Sequence, residues 1–185
     1  MKKLMIDMDD VICTGGFLNL VNEFMGTNHK IEDIKFYYMQ DVIPKEKLAE
    51  WGKFFAKGNM YKNIKPMENC YEVIKKLNNS YEVYILTAYA FKDNMNACGK
   101  LLKDKYNWLR ENLEFINPER FIFMNNKSIL ECEIRIDDKL SNLKGKSEKK
   151  ILFKSYHNAS HTEEELQKLG VIKANNWKDI EKILL

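Results

Sequence analysis

No stretch of the 185 residues stays apolar long enough to cross a bilayer. The short apolar run after Lys2 and Lys3 breaks at Asp7, so it is not expected to act as a signal peptide. Three Asn-x-Ser triplets, at Asn78, Asn126 and Asn158, therefore carry little meaning. The four cysteines, Cys13, Cys70, Cys98 and Cys132, make no CxxC pair and read as reduced thiols of a cytoplasmic protein. Neither charge sign dominates. Thirty basic and 27 acidic residues are mixed along the chain, for a net +3, which argues against a nucleic-acid polymer or a membrane as partner. Walker A, GxGxxG and internal repeats are all missing. With 45% hydrophobic and 31% charged residues, the chain has an ordinary globular composition and the length for one sizeable core plus a small lobe.

The first strand organises what is there. Leu4-Met5-Ile6 is apolar, and Asp7, Asp9 and Asp10 follow within four positions. A short apolar run that stops at acids reads as a buried strand ending at a site. Alternation puts Asp7 and Asp9 on one face. Two close carboxylates repel unless a cation or a shared proton offsets them, and a hard cation such as Mg²⁺ prefers such oxygens. A strand followed by a solvated acidic turn is the plainer alternative.

Residues 15–66 have a different texture. Phe17, Leu18, Val21, Phe24 and Met25 recur at helical spacing, and Gly26 stops the pattern. Residues 31–38 contain Phe36, Tyr37 and Tyr38. After Pro44, a second stripe holds Leu48, Trp51, Phe54 and Phe55. The segment reads as a small helical lobe. Its aromatics are core by default, with some facing a pocket between lobes.

From Pro66 on, helices and strands alternate. Helices are predicted over residues 68–78 and 92–112, and strands over 81–86, 121–124, 133–136 and 151–153. Thr162 and Glu165 form a capping-box pattern before a helix that Gly170 ends, a short edge strand follows at 171–172, and Asn176 caps a terminal helix. His157 and His161 are four apart, but the cap at Thr162 puts them off the helix that metal-binding spacing requires. The pattern implies an α/β fold, a three-layer Rossmann-like and mostly parallel sheet core with a small inserted helical cap. The core would comprise residues 1–14 and 67–185, and the cap 15–66. Ligands bind such sheets at the carboxyl ends of the strands. Those ends carry Asp7 and Asp9, Thr87, Lys127, and Asp137 with Asp138. Carboxylates for a cation, a hydroxyl and an ammonium on one edge are what phosphoryl transfer needs.

These motifs resemble the haloacid dehalogenase-like phosphohydrolases. Ile6-Asp7-Met8-Asp9-Asp10-Val11 is similar to their first motif, Ile85-Leu86-Thr87 to the second, Lys127 to the third and Ile136-Asp137-Asp138 to the fourth. Within that superfamily, Val11, the helical cap, Lys105-Tyr106-Asn107-Trp108-Leu109 and Ile136-Asp137-Asp138-Lys139 resemble the 5'(3')-deoxyribonucleotidases. Two departures are Asp10, where a glycine is common, and Asn125-Asn126, where charged residues tend to precede the lysine.

The resemblance implies a Mg²⁺-dependent phosphatase for a small phosphomonoester such as a (deoxy)nucleoside monophosphate, working as a monomer or homodimer. Asp7 would be the nucleophile, with Asp9 as acid and base. Asp7, the Asp9 carbonyl and Asp137 would hold the metal. Thr87, the Ala88 amide, Lys127 and Lys105 would bind phosphate, and Asp138 would orient metal-bound water or Lys127. A phosphatase for another metabolite and a non-catalytic nucleotide-binding module are the alternatives.

Overall fold

A computed structural model describes residues 1–34, 39–92 and 94–185. Six parallel strands form one sheet in the order β3-β2-β1-β4-β5-β6. They are β1 (Lys3–Ile6), β2 (Glu82–Thr87), β3 (Phe121–Phe123), β4 (Ile134–Asp137), β5 (Lys149–Phe153) and β6 (Val171–Ala174). The order reverses at β1, so the ends of β1, β2 and β4 converge on the crevice where such sheets bind ligands. Strands β2 and β4 each run one residue beyond their predicted ends. Thr87 and Asp137 are thereby paired into the sheet and fixed by it.

The two faces of the sheet are covered differently. Leu4, Ile6, Val83, Ile85, Ile134 and Ile136 point into the main core. There they meet α3 (Cys70–Ser80), α4 (Cys98–Asn112) and α6 (Trp177–Leu184) through Ile74, Leu77, Leu109, Trp177 and Ile180. The opposite face carries α5 (Glu163–Lys168) and two short 3-10 turns, Lys127–Ile129 and Leu140–Lys144. Helix α4 starts later than the predicted residue 92, because a 3-10 turn occupies Met95–Ala97, and α2 (Leu48–Lys57) likewise follows a 3-10 turn at Lys45–Lys47. Such turns are common at helix starts. Asn176 caps α6 through Asp179 N–H, and Thr162 caps α5 through Glu165 N–H.

Between β1 and α3, α1 (Gly16–Met25) and α2 pack on each other around Trp51. The rings of Phe17, Phe24 and Phe55 lie 5.5–5.6 Å from its centroid. Most of the aromatic stripe is therefore the core of this lobe. Phe36, Tyr37 and Tyr38 lie outside the described residues.

Candidate active site

The site begins where β1 ends. Asp7 N–H still bonds Ile136 O at 3.0 Å, so β1 and β4 deliver Asp7 and Asp137 side by side. The chain then turns tightly, with Met8 O accepting from Ile12 and Cys13 N–H. This turn needs a left-handed residue at Asp10, φ 58°. Glycine is the easiest choice there, and aspartate is among the few others that tolerate it. The Asp10 carboxylate accepts from Thr14 Oγ1 at 2.5 Å. Burial, countered by that bond, raises its pKa to about 6.

Lys127 is buried between two acids, its Nζ 2.6 Å from Asp7 Oδ1 and 2.9 Å from Asp137 Oδ2. Burial works against its charge, but Asp7 and Asp137 outweigh burial and hold its pKa above the ordinary lysine range. Asp7 Oδ1 also accepts from Met8 N–H at 2.7 Å. Burial pushes the Asp7 carboxyl well up; Lys127 opposes this, and Asp137, Asp138 and Asp9 add to it. Asp137 Oδ1 accepts from Lys139 N–H and Asn142 Nδ2, both at 2.9 Å, so both Asp137 oxygens are engaged. Asp138 shares Oδ2 with His157 Nε2 at 2.5 Å. Burial, then the Asp137 charge, raises its pKa well above the usual carboxylate range.

Asp9 faces a different set. Tyr61 OH donates to its Oδ1 at 2.6 Å, and Lys105 Nζ to its Oδ2 at 2.5 Å. Lys105 also donates to Thr87 Oγ1 at 2.6 Å and is 2% exposed. It lies behind Asp9 and Thr87, while Asp7, Asp9, Asp138, Lys127 and Ala88 line the cavity in front of them. That cavity is about 1110 Å³, and Phe17, Trp51, Phe55, Tyr61, Phe91 and Tyr156 contribute to its walls.

Carboxyl oxygens of Asp7, Asp137 and Asp138 lie within 4.8 Å of one another. The Lys127 ammonium pairs with two of these three buried acids, Asp7 and Asp137. An all-oxygen donor set short of positive charge fits a hard divalent cation. Several contributors escaped the sequence reading. The hydroxyl of Tyr61, the amides of Asn142 and Asn125, and the ring of His157 reach the site only through the fold. Asn125 Oδ1 accepts from Tyr89 and Ala90 N–H at 3.3 and 3.1 Å, which anchors the loop after Thr87. His157 is brought in by a neighbour unrelated to its spacing from His161.

A family model described as "5' nucleotidase, deoxy (Pyrimidine), cytosolic type C protein" matches residues 1–185. The chain belongs to this 5' nucleotidase family. A Staphylococcus aureus (strain Mu50) protein named "Putative 5'(3')-deoxyribonucleotidase" is 31% identical over 186 residues, spanning 100% of this chain and 96% of its own. The "5'(3')-deoxyribonucleotidase" of Clostridium acetobutylicum is 24% identical, spanning 93% and 88%. Among solved structures, a haloacid dehalogenase-like family hydrolase from Streptococcus pneumoniae superposes with a TM-score of 0.57 at 14% identity, covering 99% of this chain and 97% of that one. As a member of the 5' nucleotidase family with the haloacid dehalogenase-like fold, the protein is a hydrolase of phosphoric monoesters. No helix among the described residues is long and apolar enough to cross a membrane.

Proposed function

We propose that the protein is a Mg²⁺-dependent 5'(3')-deoxyribonucleotidase that releases phosphate from a nucleoside monophosphate through a phosphorylated Asp7. One observation carries this reading: Asp7, Asp9, Asp138 and Lys127 line the same cavity as the rings of Phe17, Trp51, Phe55, Tyr61, Phe91 and Tyr156. The buried end suits a phosphoryl group, and the ring-lined space suits a planar base.

Asp7 Oδ2 has no hydrogen-bond partner among the described residues, whereas Oδ1 is tied to Met8 N–H and Lys127. Oδ2 attacks phosphorus, and the ester P–O bond breaks as the new P–O bond forms. Asp9, in its protonated form, gives its proton to the leaving oxygen. It then takes one from the water that cleaves the aspartyl-phosphate, regenerating Asp7 and releasing phosphate. Lys127 and the Ala88 N–H balance the phosphoryl oxygens' charge. Tyr61 and Lys105 hold Asp9 in place, and Lys105 also fixes Thr87.

Asp7, the Asp9 carbonyl and Asp138 would hold Mg²⁺. Asp137, with both oxygens engaged, orients Lys127. The sequence alone gave Asp137 the metal and Asp138 the orienting role; their hydrogen-bond partners support the exchange. When bound, the cation neutralises charge between nucleophile and phosphate. Residues 15–66 act as the cap that covers the leaving group and excludes water. The test is phosphate release from a panel of deoxyribonucleotides, ribonucleotides and sugar phosphates, with Mg²⁺ and with chelator. Turnover of sugar phosphates in preference to every nucleotide would reject the assignment.

A further inference from the structure

Arg135 is buried to 1% exposure in the middle of β4. It is the register partner of Met5 and so lies on the face opposite Leu4 and Ile6, under the two 3-10 turns. Three backbone carbonyls in and beside these turns point at the Arg135 fork, and that of Lys127 also accepts from Leu130 N–H at 3.3 Å. Nη1 donates to Lys127 O at 2.8 Å and to Asn142 O at 3.2 Å, and Nη2 donates to Leu130 O at 2.6 Å. Nε has no partner among the described residues, and no ion pair to Arg135 is found among them.

Two of those carbonyls belong to residues that reach the acids. Lys127 sends its ammonium between Asp7 and Asp137, and Asn142 sends its amide to Asp137. We propose that Arg135 is a positioning residue: its guanidinium clamps the backbones of Lys127 and Asn142 from below, so that their side chains meet Asp7 and Asp137 in register. The geometry is specific to a planar fork, since one lysine ammonium cannot span carbonyls on two separate turns in the same way. Gly145 protects it, because a Cβ there would lie 2.9 Å from Nη2 and 2.9 Å from Ser128 O. The inference rests on the reading of Lys127 as a group that acts on the phosphoryl oxygens.

A double-mutant cycle on kcat/KM tests it, using the parent, Arg135→Met, Lys127→Ala and the pair. Arg135→Met is expected to lose about 10- to 100-fold when Lys127 is present, as removal of an orienting partner does elsewhere. In the Lys127→Ala background the further loss should be under about threefold. Equal losses in both backgrounds would make Arg135 plain scaffold and overturn the inference. If Arg135→Met does not fold by circular dichroism, Arg135→Lys and Gly145→Ala replace it, since each disturbs the fork while keeping a positive charge, and the same two results decide. Amide exchange gives a readout free of activity: residues 127–130 and 140–144 should exchange faster in the variant, and unchanged exchange overturns the clamp. A parent with no phosphatase turnover would sink the function reading, and the exchange result would then judge the clamp alone.

Discussion

Asp7 and Asp9 stand two apart in sequence, yet their partners divide them. Asp7 is buried against a lysine and two further acids, with one oxygen open; Asp9 is held at the cavity by Tyr61 and Lys105. Asp7→Asn removes the proposed nucleophile, so turnover should fall to background with every substrate. Asp9→Asn removes only proton transfer, so its defect should follow the leaving group. A nitrophenolate leaves without a proton, and an alkoxide does not. Rapid mixing of the Asp9 variant with nitrophenyl phosphate should give a burst of nitrophenolate before a stalled steady state. A burst from the Asp7 variant would overturn the roles. The pair Asp137 and Asp138 yields a second prediction. Asp138→Asn should weaken Mg²⁺ binding more than Asp137→Asn in a calorimetric titration, while Asp137→Asn should cost turnover at saturating metal. The reverse ranking would return the ligand role to Asp137. Acids at strand ends were legible in the sequence because alternation and burial set their position locally. Lys105 behind Asp9 and His157 beside Asp138 were not, since those contacts join residues 96 and 19 positions apart.

Strands and helices were legible wherever apolar spacing and caps agreed. Gly26 closes α1 with φ 66°, and Asn176 opens α6. The 3-10 turns at Lys127–Ile129 and Leu140–Lys144 had no such signature: three to five residues carry no periodicity, and the Arg135 guanidinium that bonds their carbonyls is close to both in sequence yet predicted by no local spacing. The close approach of Gly16 to Met60 was equally silent in sequence. A Cβ at Gly16, the first residue of α1, would meet Met60 O at 2.1 Å. The obstacle is backbone, so Gly16→Ala should destabilise the protein by about 1–3 kcal/mol, measured by urea unfolding. Phe17 offers the matching test of substrate contact, since it both packs on Trp51 and lines the cavity. Phe17→Ala should raise KM several-fold for a nucleotide and much less for a small phosphate ester, because the nucleotide alone loses ring contact. Equal effects on both would assign Phe17 wholly to the lobe's core.

At the scale of the whole molecule, the buried acids are a source of instability that the proposed cation would relieve. Asp7, Asp137 and Asp138 are each no more than 7% exposed, and the Lys127 ammonium is bonded to Asp7 and Asp137. Burying like charges together is unfavourable, and burial raises the pKa of both Asp7 and Asp138 in response. A divalent cation that binds the folded chain and not the unfolded one stabilises it by mass action, about 2.7 kcal/mol at a hundredfold excess over Kd. A chain of this size gains roughly 2–4 °C in Tm per kcal/mol, so saturating Mg²⁺ should raise Tm by about 5–10 °C. Chelator should reverse the gain. The shift should largely vanish in Asp138→Asn, whose folded state has one charge fewer to neutralise and one ligand fewer to offer. That variant should also be more stable than the parent when both are metal-free, since it removes the repulsion along with the ligand. Differential scanning fluorimetry across a Mg²⁺ series, with K⁺ at matched ionic strength as control, measures both effects. An equal shift with K⁺ would reduce the effect to screening and leave the acid cluster without a specific cation.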